Sequence, residues 1–172
     1  MMLQLFEIEG KVNELAQKIG APQNILPTYG YSEQTARPHV EVDSWAYYYV
    51  VAQSGQEVSR YTTRDVDQLL YKIFVDVTFG LAITYAEKNR IENQDIRRVA
   101  FPHQIELLTQ LSPRWAGRAA QEHAQTLEQA PFDDDGALRA AYGKSLRDQG
   151  YSVAQATKMA HEKYPYPKES KG

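Results

Sequence analysis

The chain has no cysteine in 172 residues. That absence excludes disulfide frameworks, thiolate zinc sites, iron–sulfur clusters and cysteine nucleophiles together. Long apolar runs are lacking too. The longest candidate, around Ile73 to Ala86, is interrupted by Asp76, Thr78 and Thr84, well short of the roughly 18 consecutive apolar residues of a membrane span. The N-terminus, Met1-Met2-Leu3-Gln4-Leu5-Phe6-Glu7, has no basic segment and reaches Glu7 and Glu9 early. It reads as no signal peptide, so a cytoplasmic location away from membranes is the expectation. Charge of one sign is scarce: 19 basic against 22 acidic side chains leave −3. Nucleic acid demands a basic face, and none is expected as partner. Glycines stand singly, with no Gly-x-Gly-x-x-Gly or Walker cradle for phosphate.

What is present is ordinary for a globular chain: 42% hydrophobic and 24% charged residues. A chain of this length buries about two-thirds of the surface its unfolded form exposes, so a core needs no metal or disulfide. No internal repeat or change of composition divides it, and a single domain over 1–172 is expected.

The elements point to an α+β fold. Leu5, Ile8, Val12, Leu15 and Ile19 recur at spacings of three and four, which predicts an amphipathic helix over 2–19 closed by Gly20 and Pro22. Residues 21–36 read as a long connection with room for one short strand. Residues 37–63 alternate polar with apolar or aromatic side chains and predict a β-meander of about three strands, with turns at Asp43-Ser44 and Gln53-Ser54-Gly55-Gln56. Thr62 and Asp65 are spaced as a capping box. From Asp65 to Asn89 the stripe Val66, Leu69, Leu70, Ile73, Phe74, Val77, Leu81 and Tyr85 predicts a long central helix. A further helical stretch over 91–111 contains Pro102, so a break or kink is expected near Ala100. Ser112-Pro113 opens the last helix of a core spanning 64–130. Two short helices, 136–148 and 152–163, form an appendage over 134–164, and the tail from Tyr164, above all residues 165–172, should be loose.

Candidate chemistry is thin. His39, Glu41 and Asp43 share one strand face and suit a metal or an acid/base cluster. The simpler reading turns Val40 and Val42 inward and leaves all three in solvent. His103 and Glu106 lie three apart, as in carboxylate-bridged metal bundles, but such sites repeat the motif with Glu before His. Glu122-His123 and His161-Glu162 are adjacent and cannot face one another on a helix. Neither a catalytic residue, a cofactor nor a metal is assigned, and a non-enzyme is expected. Trp45, Tyr47 and Tyr49 could stack bases, yet their neighbours are acidic, and a face packed under helices fits better. Two charged segments, Arg90 to Arg98 and Asp133-Asp134-Asp135, read either as solvated or internal polar networks or as a surface for a partner.

The ordered series Arg37-Pro38-His39-Val40-Glu41-Val42, Tyr47-Tyr48-Tyr49-Val50-Val51, Thr62-Thr63-x-Asp65-x-Asp67-x-Leu69-Leu70-Tyr71, Arg90-Ile91-Glu92-Asn93-Gln94-Asp95-Ile96-Arg97-Arg98, Leu111-x-Pro113-x-Trp115 and Pro131-Phe132-Asp133-Asp134 resembles immunity protein family sixty-three. Members stand beside polymorphic toxins in bacteria. The resemblance covers about residues 26 to 135 and departs from the family at Pro102, where relatives carry a polar residue. It implies a non-enzymatic protein that binds a cognate toxin domain and occludes its active site. Candidate partner-binding residues are then Arg90, Asp95, Arg97, Arg98, Asp133, Asp134 and Asp135. Rival readings are an adaptor in a secretion or regulatory assembly, and a small hydrolase or transferase whose site is assembled in space.

Overall fold

The computed structural model describes residues 1–168; the end of the expected loose tail, 169–172, lies outside them. The fold is α+β, with six α-helices and a four-stranded mixed sheet among the described residues. The described residues divide into two compact units, Met1–Leu81 with Gln104–Gly117, and Ala82–His103 with those from Arg118 onward.

The first unit opens with α1 (Leu5–Lys18). Gln4 and Glu7 form a capping box around its start, which trims the expected 2–19 at both ends. Ile8, Val12 and Ala16 are its buried stripe. A single 3-10 turn, Gln23–Ile25, leads to β1 (Thr28–Tyr29). β2 (His39–Val42), β3 (Tyr47–Gln53) and β4 (Gln56–Thr63) follow, in sheet order β1-β2-β3-β4. The meander is antiparallel as expected, and β1 adds a parallel edge. The sequence shows β1 weakly because two residues carry no periodicity.

Cross-strand register sorts the side chains. Val40 and Tyr49 are opposed and buried on the side that meets the helices. There the Tyr47 hydroxyl accepts from the Leu3 N–H at 2.7 Å. Tyr49 bonds Asp76 of α2 (Val66–Lys88). Trp45 departs from the expected packed face. It falls in the turn between β2 and β3 and is 71% exposed.

Asp65 precedes α2 by one position and accepts from the Asp67 N–H at 2.8 Å, while Thr63 accepts from the Asp65 N–H. The cap is thus Asp65 itself, not a Thr62–Asp65 box. By length and composition α2 could cross a membrane, but half of that stretch is buried within the protein. Leu69, Leu70, Tyr71, Ile73, Phe74, Val77 and Thr78 are its buried face in this unit. Gln104, 1% exposed, donates to the Val75 carbonyl at 2.9 Å. It belongs to α3 (Arg97–Leu111), which runs unbroken through Pro102. The expected break near Ala100 is absent because the proline sits near the helix start, where its missing N–H forfeits one i→i−4 bond. The residues before Arg97, expected to be helical from 91, form turns instead.

α4 (Pro113–Gln129) begins at its proline, with the Ser112 hydroxyl facing the Trp115 N–H at 3.4 Å. Trp115 stacks on Phe74, centroids 6.1 Å apart, and donates its indole N–H to Asp67 at 3.2 Å.

In the second unit, Ala82, Ala86 and Ala100 form a small-residue core flanked by Ile83, Ile96 and Val99. The α2 stripe therefore ends on alanines rather than on Leu81 and Tyr85. Tyr85 is partly exposed and stacks on His103 at 3.8 Å. The two short helices expected are α5 (Gly136–Asp148) and α6 (Val153–Lys163), α6 capped by Ser152 with Gln155, and they pack on one another. They are close at Gly143, where a Cβ would make an ordinary contact, 3.7 Å, with that of Ala160. The tail is held as far as Tyr166. Arg139 donates to the Tyr164 and Pro165 carbonyls and lies over the Tyr166 ring at 4.1 Å.

Candidate partner-binding site

Five of the seven residues expected at a partner surface meet in one polar network of the second unit. Asp95 lies in the turn ahead of α3, and its carboxylate accepts from Arg97 Nη2 at 2.7 Å and from the Asp133 N–H at 2.8 Å. Arg97 reaches on to the Ala130 and Pro131 carbonyls, both at 2.9 Å. Arg98 forms a two-pronged pair with Asp134, each bond 2.8 Å, and its guanidinium covers the Phe132 ring at 4.3 Å. Asp134 in turn accepts from the Asp95 N–H at 2.9 Å. Asp133 takes the fork of Arg139 at 2.8 and 3.0 Å. Arg139, 7% exposed, is the member that sequence reasoning missed. An arginine among the apolar positions of a short helix looks solvated until its carboxylate partner arrives from the preceding loop.

The electrostatics follow the bonds. Burial pushes the Asp95 carboxyl up, but Arg97 and the N–H groups of Asp133 and Arg97 outweigh it and hold it at about 2. Arg139 lowers Asp133, and Arg98 with the Asp95 N–H lowers Asp134. These carboxylates spend their acceptors inside the protein. Arg90 and Asp135 stand apart: both are exposed, and neither side chain has a hydrogen bond or ion pair among the described residues.

The sheet of the first unit holds a second polar cluster, on the side away from α2. His39 was expected in solvent with Glu41 and Asp43, yet it is 4% exposed. Residues 30–36 fold back along β3, bridging at Thr35 and Gln53, so the strand face that periodicity assigns to water is covered at His39. His39 Nε2 lies 2.8 Å from Glu41 Oε1. Arg60 Nη1 donates to Glu41 at 3.1 Å, its Nε and Nη2 grip Glu57 at 2.9 Å each, and its guanidinium lies 5.1 Å from the Tyr48 ring centroid. His39 first, then Arg60, hold Glu41 below the usual carboxylate range against its partial burial. Asp43 instead closes the turn, accepting from the Trp45 and Ala46 N–H groups and from the Tyr48 hydroxyl.

Among the described residues no three His, Cys, Asp or Glu side chains are placed to share a metal ion. The histidines weighed as ligands have other roles. His103 stacks on Tyr85. His123 stacks on Phe101 at 3.9 Å, and burial lowers its pKa. His161 contacts the Thr157 carbonyl at 2.7 Å.

Residues 43–125, just under half of the chain, match the model of the family described as Immunity protein 63. This is the family that the ordered series of motifs resembles, and the match includes Trp45, Tyr48, Glu57 and Arg60 as well as Asp95, Arg97 and Arg98. Neither the curated proteins nor the solved structures contain a match to the chain.

Proposed function

We propose, taking residues 43–125 as an immunity protein 63 segment, that this chain binds a cognate toxin domain in the cytoplasm and neutralises it by covering its active site, without chemistry of its own. The family match carries this reading. Two features agree with it. The Asp95 carboxylate, held at about 2, is engaged by Arg97 and by backbone N–H groups. The sheet also keeps one face free of α2, bearing Tyr48, Arg60 and Glu57, with Trp45 at its end; Trp, Tyr and Arg are the side chains enriched where binding energy concentrates. A specific complex needs roughly 800 Å² from each partner.

The Asp95–Arg97–Arg98–Asp133–Asp134 network acts in this scheme by holding the 131–135 turn, and Arg90 and Asp135 are the members available for direct contact. Co-expression with the toxic domain encoded immediately upstream tests the reading. Restored growth and a stoichiometric complex on purification are expected. Continued toxicity with a folded, abundant chain would overturn it for that partner.

A further inference from the structure

The helical pair α5–α6 is charged unlike the rest of the chain. Residues 136–168 hold six Lys or Arg against two Asp or Glu, whereas residues 1–135 hold twelve against nineteen. A groove of about 300 Å³ runs between the two helices, lined by Arg139, Ala140, Gly143, Arg147, Thr157 and His161 among others. No acidic side chain borders it. Gly143 and Ala160, both buried, form its floor.

Its two guanidiniums differ. Arg139 is spent on the Asp133 carboxylate and on the Tyr164 and Pro165 carbonyls. Arg147 is not. Its Nη1 lies 3.6 Å from the point that a Cβ on Gly143 would occupy, so the guanidinium folds back over the groove. It has no hydrogen bond or ion pair among the described residues, whereas Arg97, Arg98, Arg118 and Arg139 of the same unit each hold a carboxylate. The carboxylate next to it in sequence, Asp148, is taken by Lys144 at 3.3 Å. A place in the last turn of α5 suits the helix dipole but leaves the five donors of Arg147 unanswered. From α6, Thr157 adds a hydroxyl. His161 Nδ1 lies 2.7 Å from the Thr157 carbonyl, which leaves Nε2 for a ligand.

Resting on the neutralisation reading, we propose that this groove receives an acidic side chain, Asp or Glu, projected by the toxin. Its carboxylate would lie on the Arg147 fork, with Thr157 and His161 beside it. A carboxylate offers acceptors alone, in the planar geometry that a guanidinium fork matches. A basic group would meet Arg147 as a like charge, and an apolar one would cover its donors without satisfying them. A nucleic acid binds through several phosphates at once. The single free guanidinium of the groove, on a chain of net charge −3, suits one carboxylate instead.

Calorimetric titration of the full chain with the toxic domain encoded upstream tests this, comparing the wild type with Arg147→Gln and with Ala140→Leu. The first removes the charge; the second fills the groove and leaves the charge in place. A Kd raised about tenfold or more by each, with the salt dependence reduced in Arg147→Gln alone, supports the assignment. A wild-type complex that neither variant weakens overturns the groove as contact and leaves neutralisation standing. Weakening by Arg147→Gln alone overturns it too, since the charge then acts outside the groove. Weakening by Ala140→Leu alone overturns the carboxylate as occupant. A short single-stranded RNA that the wild type binds and Arg147→Gln does not would put a phosphate in its place. A folded wild type that forms no complex removes the neutralisation reading and this occupant with it. Both positions are exposed, and circular dichroism verifies the fold of each variant.

Discussion

Asp95 and Asp133, two acidic residues 38 positions apart, are joined by a hydrogen bond: the Asp133 N–H donates to Asp95 Oδ2 at 2.8 Å. The exchange is completed one residue on, where the Asp134 carboxylate accepts from the Asp95 N–H at 2.9 Å. Each acidic turn satisfies the backbone of the other. Like charges meet here because Arg97, Arg98 and Arg139 each neutralise one member.

That arrangement sets an acid limit. Asp95 is held at about 2, below its ordinary 3.8. A depressed carboxylate contributes stability that is fully present above the unfolded value and is lost as pH falls through the folded one. Its contribution is about 2 kcal/mol. Urea titrations should show Asp95→Asn less stable than wild type by about that amount at pH 7, with the gap closing between pH 4 and pH 2. A gap independent of pH would refute the assignment.

Arg139→Met should destabilise by about 3 kcal/mol or more, because it leaves Asp133 without its fork and two carbonyls without donors. Arg139→Lys should recover only part of this, since an ammonium cannot span both carboxylate oxygens and the tail carbonyls. Thermal unfolding reads the loss. Limited proteolysis should show earlier cleavage after Tyr164 in both variants.

The two tryptophans should separate cleanly by fluorescence. Trp45 is 71% exposed and Trp115 is 5% exposed, packed on Phe74 and Tyr71. Trp45→Phe should leave a blue-shifted emission that acrylamide quenches poorly, and change stability by less than about 0.5 kcal/mol. Trp115→Ala should cost about 3–5 kcal/mol.

Gly30 adopts φ +79°, and a Cβ there would lie 3.1 Å from Leu5 Cδ1. Gly30→Ala combines left-handed strain with pressure on α1, for a cost of about 1–2 kcal/mol. A denaturant midpoint equal to that of wild type would refute both costs, since a yielding Leu5 would still leave the left-handed strain.

Much of the architecture was legible in the residues because local rules govern it. The Ser112-Pro113 start, the Gln53–Gln56 turn, the 136–148 helix and the Ser152 cap are each encoded within a few positions, where capping and turn chemistry act alone. The α+β class and the family resemblance belong with them, since both rest on ordered local patterns. Tertiary contacts decided the rest. A two-residue parallel strand has no periodicity to read. His39 is buried because the segment just before its strand, 30–36, folds back along β3, a path that the alternation of the strand does not encode. Arg139 and Asp133 are a pair only once a loop and a helix are folded together. Periodicity states which side of an element can be buried. Which polar side chains join the apolar ones there depends on partners many residues away, and only the folded chain brings those partners within hydrogen-bonding distance.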